Sequence, residues 1–115
     1  MAETTIQSLV KTTLEGAAED VPVQRIRYDG KAETFITFQR IYRAPTAFED
    51  DAAGARQHTF GADIYSKTNP DALVDTIEGA LSTAGFDGVT IEAEIYESET
   101  GYYHVPLTFY YTEVL

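Results

Sequence analysis

The chain has 115 residues, a hydrophobic fraction of 43%, eight basic and nineteen acidic groups, a net charge of −11 and no cysteine. That length fits one core and one domain, residues 1–115, and the lack of cysteine excludes a disulfide framework, a thiolate nucleophile and a cysteine metal cage. Residues 1–67 hold all eight basic groups against ten acids, a net of −2, and residues 68–115 hold nine acids and no Lys or Arg, a net of −9; such a surface repels nucleic-acid backbone, whose affinity comes from Lys and Arg displacing counterions.

Ile6, Leu9, Val10, Thr13 and Leu14 mark one helical face, which predicts a helix over residues 5–17 capped by Thr4 or Thr5 and ended before Pro22. A short extended piece, residues 23–28, reaches the turn signal Asp29-Gly30. Residues 33–43 read as a strand with Ile36, Phe38 and Tyr42 on one face and Phe35 and Ile41 on the other; two partly apolar faces suit a central strand or a subunit contact. Residues 44–54 have no periodicity, a proline, a glycine and the run Glu49-Asp50-Asp51, and read as a long mobile loop between antiparallel strands.

Residues 56–66 alternate His58, Phe60, Ala62 and Ile64 against Gln57, Thr59, Asp63 and Tyr65, the period of a half-buried strand. Asn69 caps the next helix, Pro70 and Asp71 suit its first turn, and Leu73, Val74, Ile77, Ala80 and Leu81 form its buried stripe until Gly85. Residues 89–97 and 102–114 are the last two strands, joined by the turn at residues 98–101; Val89, Ile91, Ala93 and Ile95 face inward in the first, and Tyr103, Val105, Leu107, Phe109 and Tyr111 share a face in the second. Pro106 removes a ladder donor, so its strand is expected at an edge or bulged there. The order helix, strands, helix, hairpin predicts an α+β domain with a mainly antiparallel sheet and two packed helices.

Residue chemistry offers no active site. His58 and His104, with Asp63 or Glu92, lack the close spacing of a metal centre, and Glu49-Asp50-Asp51 lacks the alternating ligands and glycine of a calcium loop. Glu92 and Glu94 form a pair two residues apart and Glu97 and Glu99 flank a turn, which is the pattern of a solvated acidic face more than of glycosidase carboxylates. There is no Gly-x-Ser-x-Gly and no phosphate-binding Gly-x-x-x-x-Gly-Lys. The expectation is a protein that is not an enzyme and uses no cofactor. No stretch approaches the about 20 apolar residues of a membrane span, and residues 1–14 have neither a basic start nor an apolar signal core, so the reading is soluble and cytoplasmic.

The tyrosines are the more telling feature. Tyr102-Tyr103 and Tyr110-Tyr111 are adjacent pairs, so each sends one ring to each face of a strand, and Tyr102, Tyr103 and Tyr110 become candidate interface anchors. Phe48, Glu49, Asp50 and Asp51 in the 44–54 segment form the second candidate contact.

Thr34-Phe35-Ile36-Thr37-Phe38, Arg43-Ala44-Pro45-Thr46-Ala47-Phe48, Asp63-Ile64-Tyr65-Ser66-Lys67 and Glu94-Ile95-Tyr96-Glu97, together with the order of elements, resemble the tail-terminator, or tail-to-head joining, proteins of long-tailed phages and prophages, over residues 35–114. The resemblance implies a six-membered homo-oligomeric ring that docks on the tail tube protein, halts its polymerisation, and offers a surface to the head-completion or stopper protein. It implies a sheet with packed helices, no cofactor, and a place in the virion, reached from the host cytoplasm during assembly. In such a ring Glu92, Glu94, Glu97 and Glu99 are candidates for an acidic lumen past which DNA slides unbound, with a reach of a Debye length, ~8 Å at physiological salt. The alternatives are another head–tail connector and a non-phage acidic interaction module that mimics DNA.

Overall fold

Ile6, Val10 and Leu14 recur every four residues, and they form the buried stripe of helix α1 (Glu3–Ala17) in the computed structural model, which describes residues 3–49 and 52–115. The helix starts earlier than expected, so Thr4 and Thr5 lie inside it instead of capping it. Its last bond joins Ala18 N–H to the Leu14 carbonyl, after which Asp20 takes a left-handed φ of 65° and the Pro22 carbonyl accepts the Ile36 N–H at 2.9 Å. The extended piece that follows is shorter than expected: strand β1 (Val23–Arg25) ends because Ile26 also adopts positive φ, 71°. Strand β1 runs parallel to β2 (Thr34–Glu49), with Val23 opposite Ile36 and Arg25 opposite Phe38. In the Asp29-Gly30 turn the Tyr28 ring folds over Gly30, leaving no room for a Cβ, and its hydroxyl accepts the Ala32 N–H at 3.0 Å.

Strands β2 and β3 (Ala52–Ser66) form one long antiparallel hairpin. Of residues 44–54, expected as a loop, residues 44–49 and 52–54 instead continue the two strands, from Ala44 opposite Gln57 to Glu49 opposite Ala52. Up to Thr46 the partner strand β3 is itself held by β6, and beyond it only backbone pairing between β2 and β3 remains, which needs no apolar period; Pro45 sits where β2 is an edge strand, which tolerates a missing N–H. A bulge at Ile41 shifts the register, because Arg40 faces Phe60 but Tyr42 faces Thr59. The shift turns Tyr42 away from the face of Ile36 and Phe38, where the sequence placed it, since one extra residue reverses the alternation. Gly61 leaves room for the bulged residue: a Cβ there would come within 2.8 Å of Ile41 Cδ1.

Helix α2 (Asp71–Thr83) follows, with Val74, Ile77 and Leu81 buried; its N-cap is Pro70 instead of the expected Asn69, whose Oδ1 accepts the Asp71 N–H at 2.9 Å from one residue further out. Pro70 lies just before the first turn and is buried. Gly85, at φ 97°, ends the helix in the conformation glycine adopts without strain. The expected single strand over residues 89–97 is two strands, β4 (Asp87–Ile91) and β5 (Ile95–Glu97), both pairing with β6 (Tyr102–Val114).

The interruption has a cause in β6. Glu92 donates its N–H to the Pro106 carbonyl at 2.9 Å, so the Pro106 nitrogen, which carries no hydrogen, also faces this side and the ladder lapses over residues 92–94. Pro106 therefore does not mark an edge: β6 lies between β3 and the β4–β5 pair, in the sheet order β1-β2-β3-β6-β4. Ala93 and Ile95, expected to face inward, are exposed as a result.

The fold is α+β, two helices on one face of a mostly antiparallel six-stranded sheet. The core lies beneath the helices, where Ile6 and Leu14 of α1 and Ile77 and Leu81 of α2 meet Ile36, Phe60, Ile64, Leu107 and Phe109 of the sheet. Burying each of these large side chains is worth about 1.5–3 kcal/mol. Because β6 stops opposite Ala55, the hairpin runs on beyond the core, and the molecule measures 53 × 24 × 24 Å.

Candidate assembly surfaces

The face of the sheet without helices is aromatic. Phe35 of β2 lies opposite Tyr65 of β3, which lies opposite His104 of β6, and the register stacks their rings, with centroids 4.7 Å apart for Phe35–Tyr65 and 4.3 Å for Tyr65–His104. Tyr28 extends the row at 4.4 Å from Phe35. Tyr102 meets Phe35 edge-on at 5.5 Å, donates its hydroxyl to the Ala32 carbonyl at 3.0 Å, and carries Lys67 Nζ 4.7 Å above its ring. Offset and edge-on pairs of this kind contribute beyond the area they bury. The row borders an open cavity of about 390 Å³.

At the end of the row His104 Nε2 lies 2.7 Å from Asp63 Oδ1, and Nδ1 lies 3.7 Å from a Glu97 oxygen. Glu97 also accepts the Thr100 hydroxyl at 3.0 Å. Burial, followed by the nearby Asp63 and Glu97 carboxylates, pushes the Tyr65 phenol above its ordinary value.

The other histidine lies across the sheet. His58, fully buried beneath the helices, places Nε2 3.1 Å from Glu113 Oε1, while its Nδ1 is buried with no hydrogen-bond partner among the described residues. Arg56 reaches the same carboxylate, Nη2 at 3.0 Å and Nε at 3.1 Å. The hydrogen bond from His58 is the largest influence holding the Glu113 carboxyl below its ordinary range; burial works against it and Arg56 adds to it. His58 and His104 thus face opposite sides of the sheet, and the constellation of two histidines with Asp63 or Glu92 is not brought together.

The candidate interface residues separate. Tyr102 is half-buried in the aromatic row, Tyr103 lies on the opposite side with its ring 5.1 Å from Tyr96, and Tyr110 covers Gly88, whose φ of 58° suits only a residue without a Cβ there. Phe48 and Glu49 fall in the last positions of β2, and Asp50 and Asp51 lie outside the described residues. Glu92 and Glu94 occupy the gap between β4 and β5 and are exposed, Glu99 is exposed on the turn, and Glu97 faces the aromatic row.

Sequence reasoning missed two features. The first is Glu113, although its parity with Val105, Leu107 and Phe109 put an acid on an inward face, a sign of a buried partner. The second is the pair of open sheet edges. β1 covers β2 only at Ile36–Phe38, so from Gln39 onward β2 has no outer neighbour among the described residues, and β4 and β5 form the opposite border. The large apolar side chains most exposed to solvent gather at these two borders and at the C-terminal end: Ile26 (60%), Ile41 (53%) and Tyr42 (61%) by β1–β2, and Ile95 (49%) and Tyr96 (57%) on β5.

No family model matches this chain, and no curated protein matches it. Among solved structures it is similar to a chain of the "Virion of native gene transfer agent (GTA) particle", with a TM-score of 0.56 at 15% sequence identity, over 95% of this chain and 93% of that one. At that identity the likeness is one of fold, and it extends over nearly the whole of both chains.

Proposed function

We propose that the chain is a structural protein of a phage-like virion and, within that class, a tail terminator: a ring, six-membered by the family resemblance, that caps the head-proximal end of the tail tube, stops its growth and joins it to the head. The observation that carries the broader reading is the fold likeness to a chain of a gene transfer agent virion over 95% of the sequence. The terminator role rests on the local strings at residues 34–38, 43–48, 63–67 and 94–97 that resemble that family. The partners are further copies of the chain, the tail tube protein and a head-completion protein, with no cofactor and no chemical step. The hairpin that extends β2 and β3 past the core suits contact with the tube or a neighbour. The acidic residues 68–115 suit a wall that passing DNA does not adhere to.

The test is to add purified protein to polymerising tail tube protein from the same particle and image the products. Tubes of limited length with density at one end are expected; tubes of unaltered length with bare ends would remove the terminator reading. Selective binding to a head-completion protein without any effect on tubes would instead favour a head–tail connector.

A further inference from the structure

The two borders of the sheet are complementary. Residues 23–43, which include β1 and the start of the open run of β2, carry five basic groups (Arg25, Arg27, Lys31, Arg40, Arg43) against two acids, Asp29 and Glu33; Arg27 pairs with Asp29 at 3.2 Å, and the segment keeps a net charge of +3. Residues 87–99, which include β4 and β5, carry five acids and no basic group; Glu97 turns to the aromatic row, which leaves Asp87, Glu92, Glu94 and Glu99 for the border. Each border also presents apolar side chains to water, Ile26, Ile41 and Tyr42 on the basic side and Ile95 and Tyr96 on the acidic side. An open strand edge has backbone N–H and C=O groups that pair readily with another strand.

We infer that the β1–β2 border of one copy seats against the β4–β5 border of the next, head to tail, with the basic margin facing the acidic one. The occupant of each border is a second copy because both halves of the match are built into the same chain at opposite ends of one sheet. Two different patches meeting in this way propagate around a ring or along a filament, whereas a twofold dimer would set like charge against like. The inference deepens the ring reading above by naming its contact, and it moves Glu92 and Glu94 from the DNA path to the subunit boundary.

A chain without cysteine allows a direct test. Gln39→Cys and Ala93→Cys place one thiol on each border, both at exposed positions. The doubly substituted full chain, treated with a short bismaleimide that tolerates a small error in register, is expected to give a ladder of covalent multimers, and each single variant no more than traces of dimer. On this background Arg25→Glu or Glu94→Lys alone should lower the multimer yield about fivefold, and the two together should restore it. Absence of a ladder from the double variant, or single variants that dimerise as efficiently as the double one forms multimers, would overturn the proposal. Circular dichroism of every variant separates loss of contact from loss of fold. A ladder from a protein that leaves tail tubes uncapped keeps this contact and removes the terminator role; capping by a protein that gives no ladder does the reverse.

Discussion

The two faces of the sheet carry the same pieces, stacked aromatic rings and a histidine held by a carboxylate, in opposite surroundings. Beneath the helices Phe60 stacks on Phe109 with both rings fully buried, and His58 and Glu113 are sealed together with Arg56 at the margin. On the open face Phe35, Tyr65 and His104 are stacked more closely, yet all are half-buried, and Asp63 and Glu97 remain accessible to water. Burial, not ring geometry or hydrogen-bond length, sets how much each arrangement contributes: a ring pair adds about 0.5–1.5 kcal/mol in itself, whereas deleting a core ring also opens a cavity. The covered face specifies the fold. The open face is left with chemistry to spare.

That contrast is most directly broken by truncation. Phe60→Ala should destabilise the protein by about 3–5 kcal/mol and Phe35→Ala by about 1–2 kcal/mol, read as the difference in urea unfolding free energy. Equal losses would mean that the open face is covered in solution. The acid limb of stability sharpens the comparison next. Glu113 has a folded pKa below its unfolded one, so the stability it contributes is present above the ordinary carboxylate value of about 4.3 and is lost as the pH falls through the folded value. Glu113→Gln should therefore be less stable than the natural protein near neutrality and show a flatter decline below about pH 4.3, measured by thermal melts across pH. The smallest effect belongs to the open face. Asp63→Asn removes the second-largest cause of the raised Tyr65 value, so its phenol should ionise at lower pH in an absorbance titration while remaining raised, because burial is the largest cause. A Tyr65→Phe control identifies the transition, and an unmoved titration would remove the coupling.

The covered face was readable because it obeys periodicities. His58, Phe60, Ala62 and Ile64 alternate, Val74, Ile77 and Leu81 repeat at helical spacing, and all are buried as that spacing requires. The strand Tyr102–Val114 coincides with its expected bounds because β-formers fill it and a turn with Gly101 at φ 79° precedes it. What escaped depended on pairing between distant segments. The bulge at Ile41 reflects space left by Gly61 twenty residues away, the break at residues 92–94 reflects Pro106 on the neighbouring strand, and the His58–Glu113 contact spans 55 residues. The extension of the hairpin through residues 44–49 and 52–54 escaped because backbone pairing leaves no mark on side-chain pattern. The two open borders of the sheet were partly legible: the charge division was visible in composition, but the exposure of Ile41, Tyr42, Ile95 and Tyr96 follows from register shifts that only the paired strands reveal.

The break that Pro106 imposes on its neighbour also bears on how the protein avoids aggregation. An uninterrupted border over residues 87–97 would be a flat template for indiscriminate strand addition, the route by which sheet proteins seed amyloid. Divided into pieces of five and three residues with Glu92 and Glu94 in the gap, the border can hold a foreign strand over only a few pairs before the register fails. A proline inside the sheet thus acts on the strand beside it as a gatekeeper, discouraging chance partners while leaving the edge open to one whose shape and charge match.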